Sequence, residues 1–315
     1  MKVLSEEESF YNHSKNNASS KGLSSMNNQW LGSIFALISA VCFGLIPIFA
    51  RFAYANGVSV QGLLFVRFLS AFILMGIFLQ LTSEIHIPAR NQFWTLMALG
   101  GIVYSLGAIL YFTSFLYIPV SAAVLIANAY PAFVIAGSLA LKWEKLSVPI
   151  IFSLLVALIG LVLLVDPVLS GSIIGILMAF FTGITYAIYV LVNTRLLKGL
   201  TGELNAFYLI GASSVSFGIF GLLTGELNFA WNFEAWLWAM VISLVCTALA
   251  ITMLLRALRI LGPSRTSILG TLEPATAVIA ASIIFNESLS IAQWIGGLLI
   301  LLAMISAAIL SKPKN

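Results

Sequence analysis

The sequence predicts an all-α integral membrane protein whose ten transmembrane helices form two inverted five-helix repeats. Three observations lead to this fold class: the composition, the spacing of the apolar segments, and a phrase that occurs twice. Of the 315 residues, 61% are hydrophobic and only 8% are charged. One soluble core cannot hide so much apolar surface, so lipid is the expected solvent.

Ten apolar stretches are long enough to span a membrane. A helix needs roughly 20 residues to cross a hydrocarbon core of about 30 Å. In chain order, the predicted spans are 30–52, 62–81, 93–115, 120–141, 148–165, 172–192, 204–223, 235–255, 264–285 and 291–310. Residues 1–29 are polar and contain no apolar run, which predicts a disordered cytoplasmic tail and not a cleavable signal peptide.

The repeated phrase divides these spans into two copies. Ala-Tyr-Pro-Ala at 129–132 leads to Trp-Glu-Lys-Leu-Ser at 143–147, and Leu-Glu-Pro-Ala at 272–275 leads to Asn-Glu-Ser-Leu-Ser at 286–290. Their shared residues are all 143 positions apart. A second repeated motif has an offset of 139: Gly-Ser-Ile at 32–34, Ala40 and Gly44 correspond to Gly-Ser-Ile at 171–173, Ala179 and Gly183. We therefore predict one repeat at 30–167 and the other at 168–315, which ends in a short cytoplasmic C-terminus.

The basic residues indicate how the chain lies in the membrane. With both termini in the cytoplasm, 13 of the 15 Lys and Arg residues fall on the cytoplasmic side, as expected for a multi-pass protein of the cell (inner) membrane. Five spans per copy is an odd number, so the second copy enters from the opposite side and the repeats are inverted. Inverted repeats allow two nearly equivalent conformations, one open to each side, which is typical of transporters.

These features resemble the EamA-type ten-span transporters of the drug/metabolite transporter superfamily. The resemblance rests on the Gly-Ser-Ile…Ala…Gly helix that opens each repeat and on the Pro-containing fourth helix followed by Glu-x-Leu-Ser. Arg67-Phe68 in the second span matches another common feature of the family. The resemblance covers residues 30–311. It implies a carrier of small metabolites in the inner membrane, often an exporter of amino acids or related compounds, and no particular substrate.

Two equivalent prolines indicate where a substrate site lies. Pro131 and Pro274 fall inside predicted spans, where each removes an amide donor and kinks the helix. Such a kink is tolerated where it lines a cavity, although a bend needed only for packing is a common alternative. Polar side chains flank both prolines and are candidates for a central substrate site: Asn128, Tyr130, Thr271 and Glu273.

Glu273 is the one acidic residue expected near mid-membrane, where an uncompensated carboxylate is costly. It could bind a substrate amine, carry a coupling proton or neutralise a basic partner, and the alternative is a structural ion pair or a protonated carboxyl group hydrogen-bonded to a backbone carbonyl. Arg67 could act in a gate or hold a substrate carboxylate, and the alternative is an arginine that snorkels to the surface. Further candidates for the cavity are Tyr104, Tyr111 and Tyr186.

The motifs present favour transport over catalysis. No HExxH, CxxC, GxSxG or P-loop pattern occurs, so we expect no catalytic residues, no cofactor, no metal and no ATPase motor. The sequence predicts a secondary transporter or facilitated exporter that works by alternating access, with a small-molecule substrate and the lipid bilayer as partners and no nucleic acid. Proton coupling stays open. The alternatives are a multidrug cation carrier and an intramembrane lipid-modifying enzyme.

Overall fold

A computed structural model describes residues 29–82, 85–114, 117–118, 120–143, 148–165, 172–196, 199–285 and 290–309. All regular secondary structure within these ranges is helical. The predicted tail up to residue 28 lies outside the described residues, as do Glu144 and Glu287 of the repeated phrase. Gln29, which the sequence assigned to the tail, belongs to the first helix.

The helices occur where the sequence predicts apolar spans. In chain order they are α1 (Gln29–Ala55, with a turn at Leu45 before Ile46–Ala55), α2 (Val60–Leu81), α3 (Arg90–Ser114), α4a (Val120–Ala127), α4b (Tyr130–Ala140), α5 (Val148–Val165), α6 (Ile173–Leu196), α7 (Gly202–Thr224), α8 (Phe233–Leu261), α9a (Pro263–Gly270), α9b (Leu272–Phe285) and α10 (Ile291–Ile309). Several begin with a side-chain cap. The hydroxyl groups of Ser59 and Thr201 accept hydrogen bonds from the backbone three residues ahead, at the starts of α2 and α7.

Seven helical segments of the described chain are long and apolar enough to cross a membrane. They are α1, α2, α3, most of α6, α7, α8 and the combined α9. Shorter apolar helices occupy the other three predicted spans, at Tyr130–Ala140, Val148–Leu163 and Ile291–Ala303. The structure therefore supports a multi-pass membrane protein, and the count of ten spans stays a prediction.

Helices α3 and α8 carry the same kind of irregularity in similar places, which differ by two residues at the repeat offset of 143. Each contains a π-helical turn, at Leu99–Tyr104 in α3 and at Leu244–Leu249 in α8. In both turns a side-chain hydroxyl donates to a carbonyl five residues earlier: Ser105 to Gly100 and Thr247 to Ile242. A π turn leaves backbone groups without their usual helical partners, and such turns are frequent at functional sites.

Helices α4 and α9 are both interrupted near their prolines. The gap in α4 falls at residues 128–129, just before Pro131, and the gap in α9 falls at Thr271, just before Pro274. Proline has no amide hydrogen, so it cannot continue the α-helical ladder from the preceding turn. The sequence predicted kinks at these positions, and the helices are broken there.

The two halves of the chain pack in a pseudo-symmetric manner. Helix α3 packs on α6, and its counterpart α8 packs on α1, so each half contacts the first helix of the other. Helices α2 and α7 form one further pair, and α5 and α10 form another. A Cβ atom on Gly160 would lie 2.8 Å from the carbonyl oxygen of Gly296, which explains how α5 and α10 approach so closely. The broken helices lie between these pairs.

Candidate functional site

A central cavity of about 140 Å³ lies beside the two helix breaks. Residues of α1, α2, α3, α6 and both broken helices line it: Phe43, Ile46, Pro47, Leu64, Arg67, Phe68, Val103, Tyr104, Gly107, Ala108, Tyr111, Phe112, Ala127, Asn128, Tyr130, Thr182, Thr185, Tyr186 and Glu273. Both sequence repeats therefore contribute walls to one cavity.

Equivalent positions of α1 and α6 form two of these walls. At the offset of 139 seen in the sequence, three residues of α1 correspond to three of α6, and all six line the cavity: Phe43 and Thr182, Ile46 and Thr185, Pro47 and Tyr186. The α1 wall is apolar and the α6 wall carries three hydroxyl groups. The duplication thus supplies the same geometry with different chemistry on each side.

Glycines at equivalent positions let α1 and α6 approach the broken helices. A Cβ atom on Gly44 would lie 2.5 Å from the carbonyl oxygen of Glu273 and 2.6 Å from Cβ of Thr276. A Cβ atom on Gly183 would lie 3.1 Å from the ring of Phe133, which is the counterpart of Thr276 at the offset of 143. These glycines belong to the motif that the two repeats share, and their role is close contact with α9b and α4b.

The Glu273 carboxylate faces the cavity from the first turn of α9b. Its side chain is half-buried, and among the described residues no hydrogen bond or ion pair joins its carboxylate. A carboxylate at this depth is unfavourable unless it is hydrated, protonated or matched by a ligand. The structural ion pair considered from the sequence is therefore not formed within the described residues.

Arg67 contributes a positive charge to the same cavity. It is only 4% exposed, so it does not snorkel to the surface. Its Nε donates to the hydroxyl of Thr247 at 2.6 Å, and Nη2 donates to the carbonyl of Cys246 at 3.1 Å. Both acceptors belong to the π turn of α8. The irregular helix thus holds the guanidinium in place. The guanidinium carbon also lies 5.1 Å from the centre of the Phe68 ring.

Aromatic residues complete the cavity. The rings of Tyr130 and Tyr186 meet edge to face with their centres 4.6 Å apart, and Tyr104 meets Phe68 in the same way at 5.7 Å. The Tyr130 hydroxyl donates to the carbonyl of Ser267 at 3.3 Å, which joins α4b to α9a. The two broken helices are therefore in direct contact beside the cavity.

Seven of the eight predicted binding residues line the cavity: Arg67, Tyr104, Tyr111, Asn128, Tyr130, Tyr186 and Glu273. Thr271 does not, because its hydroxyl donates to the carbonyl of Ile268 within the break of α9. Pro131 and Pro274 are buried and do not line the cavity. Sequence reasoning did not place Phe43, Pro47 or Thr182 in the site, although the offset of 139 would have found Pro47 from Tyr186.

Comparison with known proteins identifies the same two repeats. The model of the EamA-like transporter family matches residues 30–166 and again residues 173–309. An uncharacterized transporter of Archaeoglobus fulgidus is 26% identical over 276 residues, which is 88% of this chain and 96% of that protein. The uncharacterized transporter YcbK of Bacillus subtilis is 22% identical over 277 residues, or 84% of this chain and 88% of its own.

One solved structure shows that the fold occurs elsewhere. A protein whose structure is titled only "Crystal structure of protein" superposes with a TM-score of 0.74 over 89% of this chain and 98% of its own, at 16% identity. At that identity the likeness concerns the fold alone. The two family matches together cover nearly the whole described chain, and they fall on the halves that share the cavity walls. This chain belongs to the EamA-like transporter family.

Proposed function

We propose that this transporter is a secondary carrier or facilitated exporter of small zwitterionic metabolites, with amino acids and related compounds as the favoured substrates. The observation that carries the proposal is the presence of two opposite charges in one cavity. Glu273 offers a carboxylate that no described residue pairs with, and Arg67 offers a guanidinium held by the π turn of α8. A zwitterion carries an ammonium group for the first and a carboxylate for the second.

The size of the cavity favours a small substrate. A protein cavity of about 150 Å³ holds a molecule such as benzene, whereas drug-sized ligands occupy sites of about 300–1,000 Å³. The central cavity, at about 140 Å³, belongs to the first group. A multidrug cation carrier is the second candidate, because Glu273 and the tyrosine rings would also attract a cation. Arg67 disfavours a substrate that carries only positive charge.

The transport mechanism that we propose is alternating access across ten spans. Helices α5 and α10 have 18 and 19 residues. At 1.5 Å per residue each is about 27–29 Å long, close to a hydrocarbon core of about 30 Å. Rocking of the two repeats around the cavity is supported by two features. Both repeats contain a broken helix, and each repeat contacts the first helix of the other, through α3 with α6 and α8 with α1. Either substrate binding or proton carriage by Glu273 is compatible with this mechanism.

The proposed location is the cell membrane with both termini in the cytoplasm. A single cysteine at position 198, where the sequence predicts a cytoplasmic loop, should be shielded from an impermeant thiol reagent in intact cells. A cysteine replacing Asn228, which is exposed between α7 and α8, should react. Labelling in the reverse pattern would contradict the orientation.

The substrate class can be tested by a growth-protection and efflux screen. Cells that express the protein would be exposed to amino acids, their toxic analogues and toxic organic cations. The proposal expects protection and saturable efflux for zwitterions. Protection against cations alone would favour the multidrug carrier. The family and its named relatives are transporters, which favours both candidates over an intramembrane lipid-modifying enzyme.

A further inference from the structure

A second cavity of about 340 Å³ lies at the far end of α6 from the central cavity. Its walls come from the end of α6, the start of α7, the end of α8 and the start of α9a. Tyr186 of α6 lines the central cavity, whereas Asn193 of the same helix lines the second. Seven residues of helix rise about 10 Å, so the two cavities are two turns apart. The topology predicted from the basic residues puts the second cavity on the cytoplasmic side.

Two buried asparagines in this cavity have side-chain oxygens to which no described residue donates a hydrogen bond. Asn193 and Asn205 are each 6% exposed, and both line the cavity. Neither Oδ1 atom accepts a hydrogen bond from any described residue, although Nδ2 of Asn193 donates to the carbonyl of Tyr189 at 2.9 Å. Buried carbonyl oxygens without donors are rare in folded proteins. The pair therefore indicates a ligand group or water that donates hydrogen bonds at this point.

Another part of the same cavity attracts negative charge. Helix α7 begins here with Thr201 as its cap, and the amide groups of a first helical turn form a positive end. Arg259 also lines the cavity, and one of its five N–H groups donates to the carbonyl of Leu200 at 3.1 Å. The Glu203 carboxylate, in the same turn of α7, pairs with Arg256 and so does not cancel the charge of Arg259.

We propose that this second cavity binds a small metabolite that carries a carboxylate at one end and a hydrogen-bond donor, such as an ammonium or hydroxyl group, at the other. The carboxylate lies against Arg259 and the start of α7, and the donor lies against Asn193 and Asn205. Leu255 and Leu258 provide an apolar surface for the body of the molecule. The inference rests on the proposed function, because the same substrate class passes from this site to the central cavity.

Tyr189 lies on α6 between the residues that line the two cavities, Tyr186 and Asn193. It is fully buried, and its ring lies 5.2 Å from that of Tyr104 and 5.5 Å from that of Tyr186, both of which line the central cavity. Its carbonyl accepts the hydrogen bond from Asn193 in the second cavity.

The charge of the site can be tested with thiol reagents on the purified full chain. Cys42 and Cys246, which are buried, would be replaced by Ala, and Thr194→Cys would report on the cavity. The probes are 2-sulfonatoethyl methanethiosulfonate, an anion, and its trimethylammonium counterpart, with rates normalised to those with a small free thiol. We expect the anion to react at least about tenfold faster than the cation, since one charge-assisted hydrogen bond corresponds to at least that ratio.

Matched variants decide the outcome. Arg259→Gln should remove the preference for the anion, and Asn228→Cys in the exposed loop should show none. Glycine or lactate should protect Thr194→Cys from labelling, and Asn205→Leu should weaken that protection. Equal normalised rates for both reagents, or protection that is unchanged by Arg259→Gln, would overturn the proposal and leave a cavity that holds water only.

This readout does not depend on transport. Protection of Thr194→Cys should persist when Glu273→Gln is added, because Glu273 lies in the other cavity. If protection persists while the Glu273→Gln variant transports normally, the second site stands and the proposed role of the central cavity fails. If transport is lost in that variant but no protection occurs in any background, the second site fails alone.

Discussion

Alanine substitutions of Gly44 and Gly183 test whether the equivalent helix contacts in the two repeats differ in how well they accept an added methyl group. At Gly44 the new Cβ would meet the carbonyl oxygen of Glu273 at 2.5 Å, whereas ordinary contact begins at 3.4 Å. Helix α1 and the start of α9b must therefore separate by about 0.9 Å. At Gly183 the nearest atoms are a ring carbon of Phe133 at 3.1 Å and the carbonyl oxygen of Ala127 at 3.2 Å, so shifts of about 0.2–0.3 Å are enough.

The energetic consequence follows from these distances. Overpacking of a dense interior costs about 1–3 kcal/mol, and Ala regains about 1 kcal/mol over Gly in a helix. Gly44→Ala should therefore destabilise the protein by about 1–2 kcal/mol, because its clash is with backbone. Gly183→Ala should be close to neutral, because the Phe133 ring and the Ala127 carbonyl need to move by only about 0.3 Å or less. Since the clash at Gly44 displaces Glu273 itself, we expect transport to fall at least fivefold, roughly the effect of 1 kcal/mol at the site.

The assay compares substrate counterflow in proteoliposomes with thermal unfolding in detergent. Gly57→Ala is the stability control: Gly57 has φ +81° and open space around it, so Ala costs about 1–2 kcal/mol of backbone strain without touching the cavity. Gly57→Ala should lose stability and retain its transport rate per folded molecule. Equal transport in the Gly44 and Gly183 variants would refute the reasoning.

Two further predictions concern the elements that surround the cavity. Thr247→Val should lower stability by about 1–2 kcal/mol and weaken transport, because Arg67 loses its 2.6 Å hydrogen bond. Thr247→Ser, which keeps the hydroxyl group, should retain both properties. Thermal unfolding and counterflow measure these effects, and an unaffected Val variant would show that the π turn does not hold Arg67. Pro131→Ala and Pro274→Ala should change the transport rate more than the membrane abundance, because each restores an amide donor at a helix break. If efflux and cysteine accessibility are unchanged in both variants, the prolines serve only helix packing.

The sequence was sufficient to predict features that depend on composition and on repetition. Apolar length predicted the positions of the helices, and proline chemistry predicted irregularity before Pro131 and Pro274. The repeats were visible because Gly44 and Gly183 belong to a shared motif, and their structural role as contact points with α9b and α4b agrees with that motif. Of the four polar residues next to the prolines that the sequence proposed for a substrate site, Asn128, Tyr130 and Glu273 line one cavity, and their role in binding stays a prediction.

Other features depend on contacts between helices that no local pattern encodes. The π turns of α3 and α8 have no signal comparable to proline, so the anchoring of Arg67 by Cys246 and Thr247 was not predicted. Thr271 was expected in the cavity because it is polar, yet its hydroxyl satisfies a carbonyl in its own helix break. The second cavity is built from the ends of several helices, and Asn193 and Asn205 belong to different helices that only the fold brings together.

The most direct test of the central claim is substrate counterflow by the Glu273→Gln variant. Gln preserves the shape and hydrogen bonding of the side chain while removing its charge. Glu226→Gln, which changes an exposed carboxylate in the loop after α7, is the matched control. If the Glu273 carboxylate binds a substrate amine or carries a coupling proton, Glu273→Gln should reduce counterflow at least tenfold and flatten its pH profile, with normal abundance and with Glu226→Gln unaffected. Counterflow at the parental rate, with the parental pH profile, for every transported substrate would contradict the assignment of the central cavity as the substrate site.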